Sequence, residues 1–262
     1  MEKDEKKSKV QAYVDRKREA VIARGRMDAL FEAYHKHAER WSMLPAEPFL
    51  SMMHRALAVA SLHLALLPPD EFTAWTLNIK EPPMNFFVCG DNNQFGVTGR
   101  VYTSDVKTGE SSRLFMESQR PKREPTHSVL DVQGRDVFGI FEEFYARSEQ
   151  IPNRLFEISE NEFALIRGLP LVDLDWLGQL TAATAREHLE TELELIEERP
   201  YHFHCGCNPR IILKVMQGMF SQQPDELFLG DPQVEVHCPR CGRHWWVTRE
   251  DFNAGPNKLG IA

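Results

Sequence analysis

Four cysteines, Cys205, Cys207, Cys238 and Cys241, follow the order C-x-C-x30-C-x-x-C and gather four sulfurs into 37 residues of a 262-residue chain. No other feature constrains the fold so tightly, because two separated pairs must be brought to one point whatever the rest of the chain does. A pair spaced as in HCGCNPR (204–210) can by itself close a disulfide, hold a metal or attack a substrate. The second pair narrows the choice. VEVHCPRCGRHWWV (234–247) reads as a strand, a tight turn and a second strand, with Val234 and Val236 alternating on the way in and Trp245 and Val247 on the way out. Such a turn aims two sulfurs and several backbone N–H groups at one place, and Gly242 supplies the backbone freedom it needs. Cys205 and Cys207, two apart on an extended segment, face the same side. Asn208 then caps a helix with Pro209 in its first turn. Ile211, Ile212, Val215, Met216, Met219 and Phe220 form the apolar face of that helix.

Four thiolates in this register read as one closed, tetrahedral Zn2+ site, with no open position for hydrolytic chemistry. The neighbouring His202, His204, His237 and His244 are expected outside the ligand set. Cys89, in NFFVCG, reads as a small buried hydrophobe. Zinc holds cysteines as thiolates, the form that oxidants attack. Residues 205–262 have a thin apolar core, so metal binding there is largely folding free energy. The cluster is therefore suited to a redox switch. An inert structural zinc ribbon, acting as a binding module, has the same spacing.

The rest of the chain sets the context. A formal charge of −8 argues against nucleic-acid or anionic-membrane partners. Residues 205–262 carry six Lys/Arg and six Asp/Glu, so the zinc module has no basic excess. The N-terminus MEKDEKKSKV has no secretory apolar stretch. ALAVASLHLALL (56–67) is too short for a membrane span and reads as a buried core helix. A cytoplasmic protein is expected, with its thiols kept reduced. No P-loop, G-x-G-x-x-G, G-x-S-x-G or H-E-x-x-H is present, so an enzyme is not expected.

The periodicities predict helices together with half-buried antiparallel strands. Residues 1–41 read as helical, with Leu30, Phe31 and Tyr34 as an inner stripe and 1–9 as a solvated tail. A second helix follows LPAEP and runs to about Leu67. FTAWTLNIK, FGVTGRVYTS, RLFMES and HSVLDVQG read as strands of an antiparallel sheet. A helix is predicted over 135–149 and a strand pair within 154–167. TAREHLETELELIEER (184–199) reads as a helix with Ala185, Leu189, Leu193 and Ile196 on one stripe, closed by Pro200. A domain boundary is expected near 199–203.

FHCGCNPR, the spacer and VEVHCPRCGRHWWVTREDF resemble, in order and spacing, the zinc-binding domain of the heat shock protein 33 family of redox-regulated chaperones. VQGRDVFGIFEEFYARSEQIPNR (132–154) resembles a second motif of that family, and the likeness covers roughly residues 70–250. Two departures are a longer charged stretch at the N-terminus and a greasier helix after Cys207. The resemblance implies an N-terminal α+β domain for substrate binding and dimerisation (1–175), a helical linker (176–203) and a small zinc-binding redox-switch domain (204–262). It implies one Zn2+ per chain on Cys205, Cys207, Cys238 and Cys241, and disulfides Cys205–Cys207 and Cys238–Cys241 on oxidation. It also implies a holdase that is quiescent when reduced. Oxidation would release zinc and unfold the linker, and the active homodimer would then bind unfolding client proteins.

Overall fold

The computed structural model describes residues 6–255 apart from 105, 107 and 108; the part of the expected tail at 1–5 lies outside the described residues. The elements run β1 (Ser8–Asp15), β2 (Ala20–Arg26), α1 (Asp28–Arg40), α2 (Phe49–Ala65), β3 (Phe72–Ile79), β4 (Met84–Asp91), β5 (Gly96–Tyr102), β6 (Arg113–Gln119) and β7 (Thr126–Asp131). They continue with α3 (Val137–Arg147), β8 (Asn153–Ser159), β9 (Glu162–Gly168), α4 (Leu174–Gln179), α5 (Ala182–Leu189), β10 (Glu194–Phe203), α6 (Pro209–Phe220), α7 (Pro224–Phe228), β11 (Gln233–His237), β12 (His244–Thr248) and α8 (Arg249–Ala254).

Ten strands make one sheet in the order β7-β6-β3-β4-β5-β10-β1-β2-β9-β8. Every pairing is antiparallel except β10 with β5, which meet in parallel at only His202↔Gly96 and Phe203↔Val97. Two antiparallel halves are thus stitched by the end of β10, the strand that leads into Cys205. The α+β expectation holds, and the four alternating segments named above are β3, β5, β6 and β7.

Helices α1, α2 and α3 cover one face of the sheet and share one core with it. In α2 every residue from Ala56 to Ala65 is buried, as an apolar run with no polar face requires. It lies so close to the sheet that a Cβ on Gly99 would stand 2.3 Å from the Met53 methyl and 2.7 Å from the Phe87 carbonyl oxygen. On the other face, α4 and α5 bury Leu177, Leu180, Ala185 and Leu189 against Ile22, Phe156, Ile158 and Ile166. Asp173 and Thr181 cap these two helices by accepting from the Trp176 and Thr184 backbone N–H groups. A third, small core of Leu213, Met216, Phe228, Val247 and Phe252 holds α6–α8 and the β11–β12 hairpin together.

Two sequence expectations are corrected. Residues 8–26 are a β-hairpin, and helix begins only at Asp28. Lys, Arg and Glu favour helix locally. Here the Asp15 carboxylate accepts the backbone N–H groups of Lys17 and Arg18, both at 3.0 Å, and makes a turn. β1 and β2 then pair with each other and with β10 and β9. The second correction is to the helix over 184–199. It stops at Leu189, and residues 194–203 are strand β10. Pro200 does not close a helix; it sits within β10, opposite Lys9. β10 pairs with β1 only up to Tyr201 and with β5 only at His202 and Phe203, so Pro200 stands where the β5 side of the strand is unpaired. β4 was not foreseen, because Asn85-Phe-Phe-Val-Cys-Gly carries no clean alternation.

Candidate metal centre

Cys205 and Cys207 lie on the segment between β10 and α6. The path between them is not uniformly extended, as the sequence suggested, because Gly206 has φ +67°. Asn208 caps α6 as expected, its Oδ1 accepting from the Ile211 N–H at 3.0 Å with Pro209 in the first turn. Cys238 and Cys241 sit in the turn between β11 and β12. The Cys238 N–H donates to the Arg243 carbonyl at 2.7 Å, and the Gly242 N–H donates to the Cys238 carbonyl at 2.8 Å. Gly242 has φ +71°, a backbone conformation that favours glycine, and a Cβ there would push the end of the Met43 side chain aside.

The structure brings the four sulfurs together, all within 4.8 Å of one another. Two approaches run across the two halves: Cys205 Sγ to Cys238 Sγ is 3.7 Å, and Cys207 Sγ to Cys241 Sγ is 3.4 Å. Two sulfurs on a tetrahedral ion with bonds of about 2.3 Å stand roughly 3.8 Å apart. Donor chemistry and spacing therefore fit a zinc-sized ion. Cys238 and Cys241 are fully buried, and Cys205 and Cys207 are half-buried. Hydrogen bonds from Cys205 and Cys207 pull Cys238 down to about 6 and hold Cys241 well below the usual thiol range. Cys205 is correspondingly pushed up, first by sharing with Cys207. An uneven, partly ionised thiol set of this kind is a ready metal ligand and a ready nucleophile.

Three contacts that the sequence did not suggest tie this turn to the large sheet and its helices. His37 of α1 donates from Nε2 to the Cys241 carbonyl at 2.8 Å, and the Tyr102 hydroxyl donates to the Pro239 carbonyl at 2.5 Å. Arg240 stacks over the Phe72 ring at 5.5 Å. A lone His in a charged helix and a Tyr at a strand end carry no local sign of such a role. Between α1 and the cysteines lies a cavity of about 520 Å³ bordered by Lys6, Lys36, Arg40 and Arg243 and reaching Cys205, Cys207 and Cys241. The thiols are thus open to small polar reagents through a cationic mouth.

Among the described residues, none of the four neighbouring histidines groups with the sulfurs as a ligand. The His204 N–H donates to the Val97 carbonyl at 2.9 Å, and His237 and His244 group with Glu235. Cys89 is a core residue of β4, its thiol pushed up to about 12 by burial. Among the described residues, no helix is long and apolar enough to cross a membrane.

Residues 157–248 match the model of the family described as "Hsp33 protein". The 33 kDa chaperonin of Shigella flexneri serotype 5b (strain 8401) is 24% identical over 249 residues, covering 80% of this chain and 86% of that one. The 33 kDa chaperonin of Escherichia coli (strain K12 / DH10B) is also 24% identical, with 80% and 85% covered. These matches support the Hsp33 family for this chain. Its fold agrees: the crystal structure of the 33 kDa chaperonin (heat shock protein 33 homolog) from Thermotoga maritima superposes with a TM-score of 0.71 at 13% identity, covering 96% of this chain and 98% of that one. The family match spans α4, α5, β10 and both halves of the sulfur cluster, so it includes the segment whose helix-to-strand change the sequence did not reveal.

Proposed function

We propose that this chain is a redox-regulated holdase chaperone. Residues 1–175 would bind clients and dimerise, 176–203 would form the linker, and 204–262 would be the zinc-binding switch. The observation that carries the reading is the four-sulfur cluster, open to reagents and joined through β10 to helices that cover an apolar sheet face. Cys205, Cys207, Cys238 and Cys241 would hold one Zn2+, which supplies the charge that keeps four thiolates together in the reduced state.

Oxidation pairs Cys205 with Cys207 and Cys238 with Cys241. In each pair two thiolates give two electrons to one hydrogen peroxide, an S–S bond forms, the O–O bond breaks, and two protons complete two waters. With both bonds made, no thiolate ligand remains. The C-terminal module, whose own core is five residues, then loses its main support. The linker is only partly helical, so its melting would have two components. α4 and α5 would lift from Ile22, Phe156, Ile158 and Ile166, and β10 would loosen from the sheet. The uncovered strand face is an apolar surface of the kind that captures unfolding proteins and that a resting protein keeps hidden.

The test follows zinc release with a chelating dye, helix content by circular dichroism, and light scattering of a heat-unfolded client while peroxide is added at raised temperature. Zinc release together with helix loss and suppressed client aggregation is the expected result. If zinc stays bound under peroxide and scattering is unchanged, the cysteines are a structural clamp and the switching reading fails.

A further inference from the structure

A second group of metal-type donors lies on the β11–β12 hairpin, outside the sulfur cluster. His237 and His244 face each other directly across the two strands, and Glu235 is two residues before His237, on the same side of its strand. Glu235 reaches both imidazoles with different oxygens: Oε2 is 3.4 Å from His237 Nε2 and Oε1 is 3.5 Å from His244 Nε2. The three ligand atoms lie within 4.8 Å of one another. The two rings are tilted by 41° with centroids 5.2 Å apart, and Trp41 packs edge-on against His244 at 4.7 Å.

We propose that Glu235, His237 and His244 form a second, surface metal site for a divalent transition ion of the zinc type. Tetrahedral N and O ligands at about 2.0–2.1 Å stand roughly 3.3 Å apart. Each imidazole Nε2 lies within 0.2 Å of this distance from one carboxylate oxygen, Oε2 for His237 and Oε1 for His244, and one donor atom from each residue lies within 4.8 Å of the other two. Two imidazoles and one carboxylate suit Zn2+, Ni2+ or Cu2+ and not the all-oxygen ions Mg2+ or Ca2+. Glu235 and His237 are exposed, so a fourth position stays open to water. The strand register holds the donors together, and Trp41, from the end of α1, restrains one ring. The set contains no sulfur. The strands that gather it belong to the module whose folding rests on the four cysteines, so the site is expected only while that module is folded.

The experiment uses the full chain under reducing conditions, with one equivalent of Zn2+ already bound. Further Zn2+ is titrated by calorimetry while the imidazole nitrogens are followed by 15N NMR. A second equivalent is expected, shifting Nε2 of two histidines. His237→Ala and His244→Ala should each weaken it by at least about tenfold, and Glu235→Gln by less, with the first equivalent retained as the control for folding. The proposal is overturned if the wild type takes only one equivalent, or if the double His237→Ala, His244→Ala variant binds the second as tightly as the wild type.

Discussion

His37 Nε2 donates to the carbonyl oxygen of Cys241 across 2.8 Å, although 204 residues separate the two in sequence. A carbonyl can only accept, so this contact fixes the proton on Nε2. It also places α1 of the large domain in direct charge of the C-x-x-C turn. The Tyr102 hydroxyl does the same at Pro239, two residues earlier in that turn. The metal centre is thus held against the body of the protein by two hydrogen bonds to its own backbone.

These two bonds should set how readily the module lets go. A net hydrogen bond is worth about 1 kcal/mol, or roughly fivefold in an equilibrium. His37→Ala and Tyr102→Phe are each expected to speed chelator-driven zinc release by about that factor, and the double variant by more. Stopped-flow release into an excess of chelating dye measures this directly. Unchanged rates in all three would mean that the turn is held by its ligands alone.

Replacing any one of the four cysteines by serine should abolish stoichiometric zinc binding. It should also unfold the module while leaving the core that α1–α3 share with the strands folded. The reason is that Leu213, Met216, Phe228, Val247 and Phe252 form a core separate from that of α1–α3 and the strands. Structural zinc contributes on the order of 10–16 kcal/mol in such small units. Zinc analysis of Cys241→Ser, with limited proteolysis, is the check: cleavage is expected within 204–255 while the N-terminal part stays resistant.

Arg199 shows why β10 could not be recognised from its sequence. The side chain is 5% exposed, and its Nη1 donates at 2.8 Å to each of the Leu64 and Leu67 carbonyls at the end of α2. Glu197 pairs with the same guanidinium. In β10 the inward positions are Arg199, Tyr201 and Phe203, so the inner face begins with a charged residue. Hydropathy cannot read Arg199 as an inward position, whereas Leu193 and Ile196 do fall at helical spacing. Arg199→Ala would remove the guanidinium donor from the Leu67 carbonyl, while the Leu64 carbonyl keeps Asn92 Nδ2 at 2.8 Å, and a loss of about 2 kcal/mol is expected in urea unfolding. Arg199→Lys should recover part of it.

What the sequence did reveal has the same physical logic. α2 was legible because an unbroken apolar run of that length has to be buried. β3 and β6 were legible because one face of each is packed and the other is not, whereas β5 alternates in sequence although Gly96–Gly99 are all buried. The four cysteines were legible because their chemistry dictates their proximity. The hairpin of β1 and β2 was not, since its charged residues favour helix and only the distant partners β9 and β10 decide otherwise. His37 and Tyr102 were invisible for the same reason, as each acts through a partner more than a hundred residues away.

Acid should destabilise the large domain through His54. Its ring stacks on Phe31 with centroids 4.0 Å apart, and its Nε2 lies 2.9 Å from the His35 Nε2. Burial, and secondarily the charge of His35, push His54 down to about 4. Unfolded, the same ring titrates near 6.5. Between these values the unfolded chain binds a proton that the folded protein refuses. The stabilisation is therefore complete above about pH 6.5 and is lost as pH falls towards 4. Allowing for the solvent that reaches the ring, this should amount to about 1–2 kcal/mol. Urea midpoints of the wild type and of His54→Gln, compared from pH 7 to pH 4, test it. The wild type should fall more steeply than the variant, and parallel curves would assign the acid sensitivity to other groups.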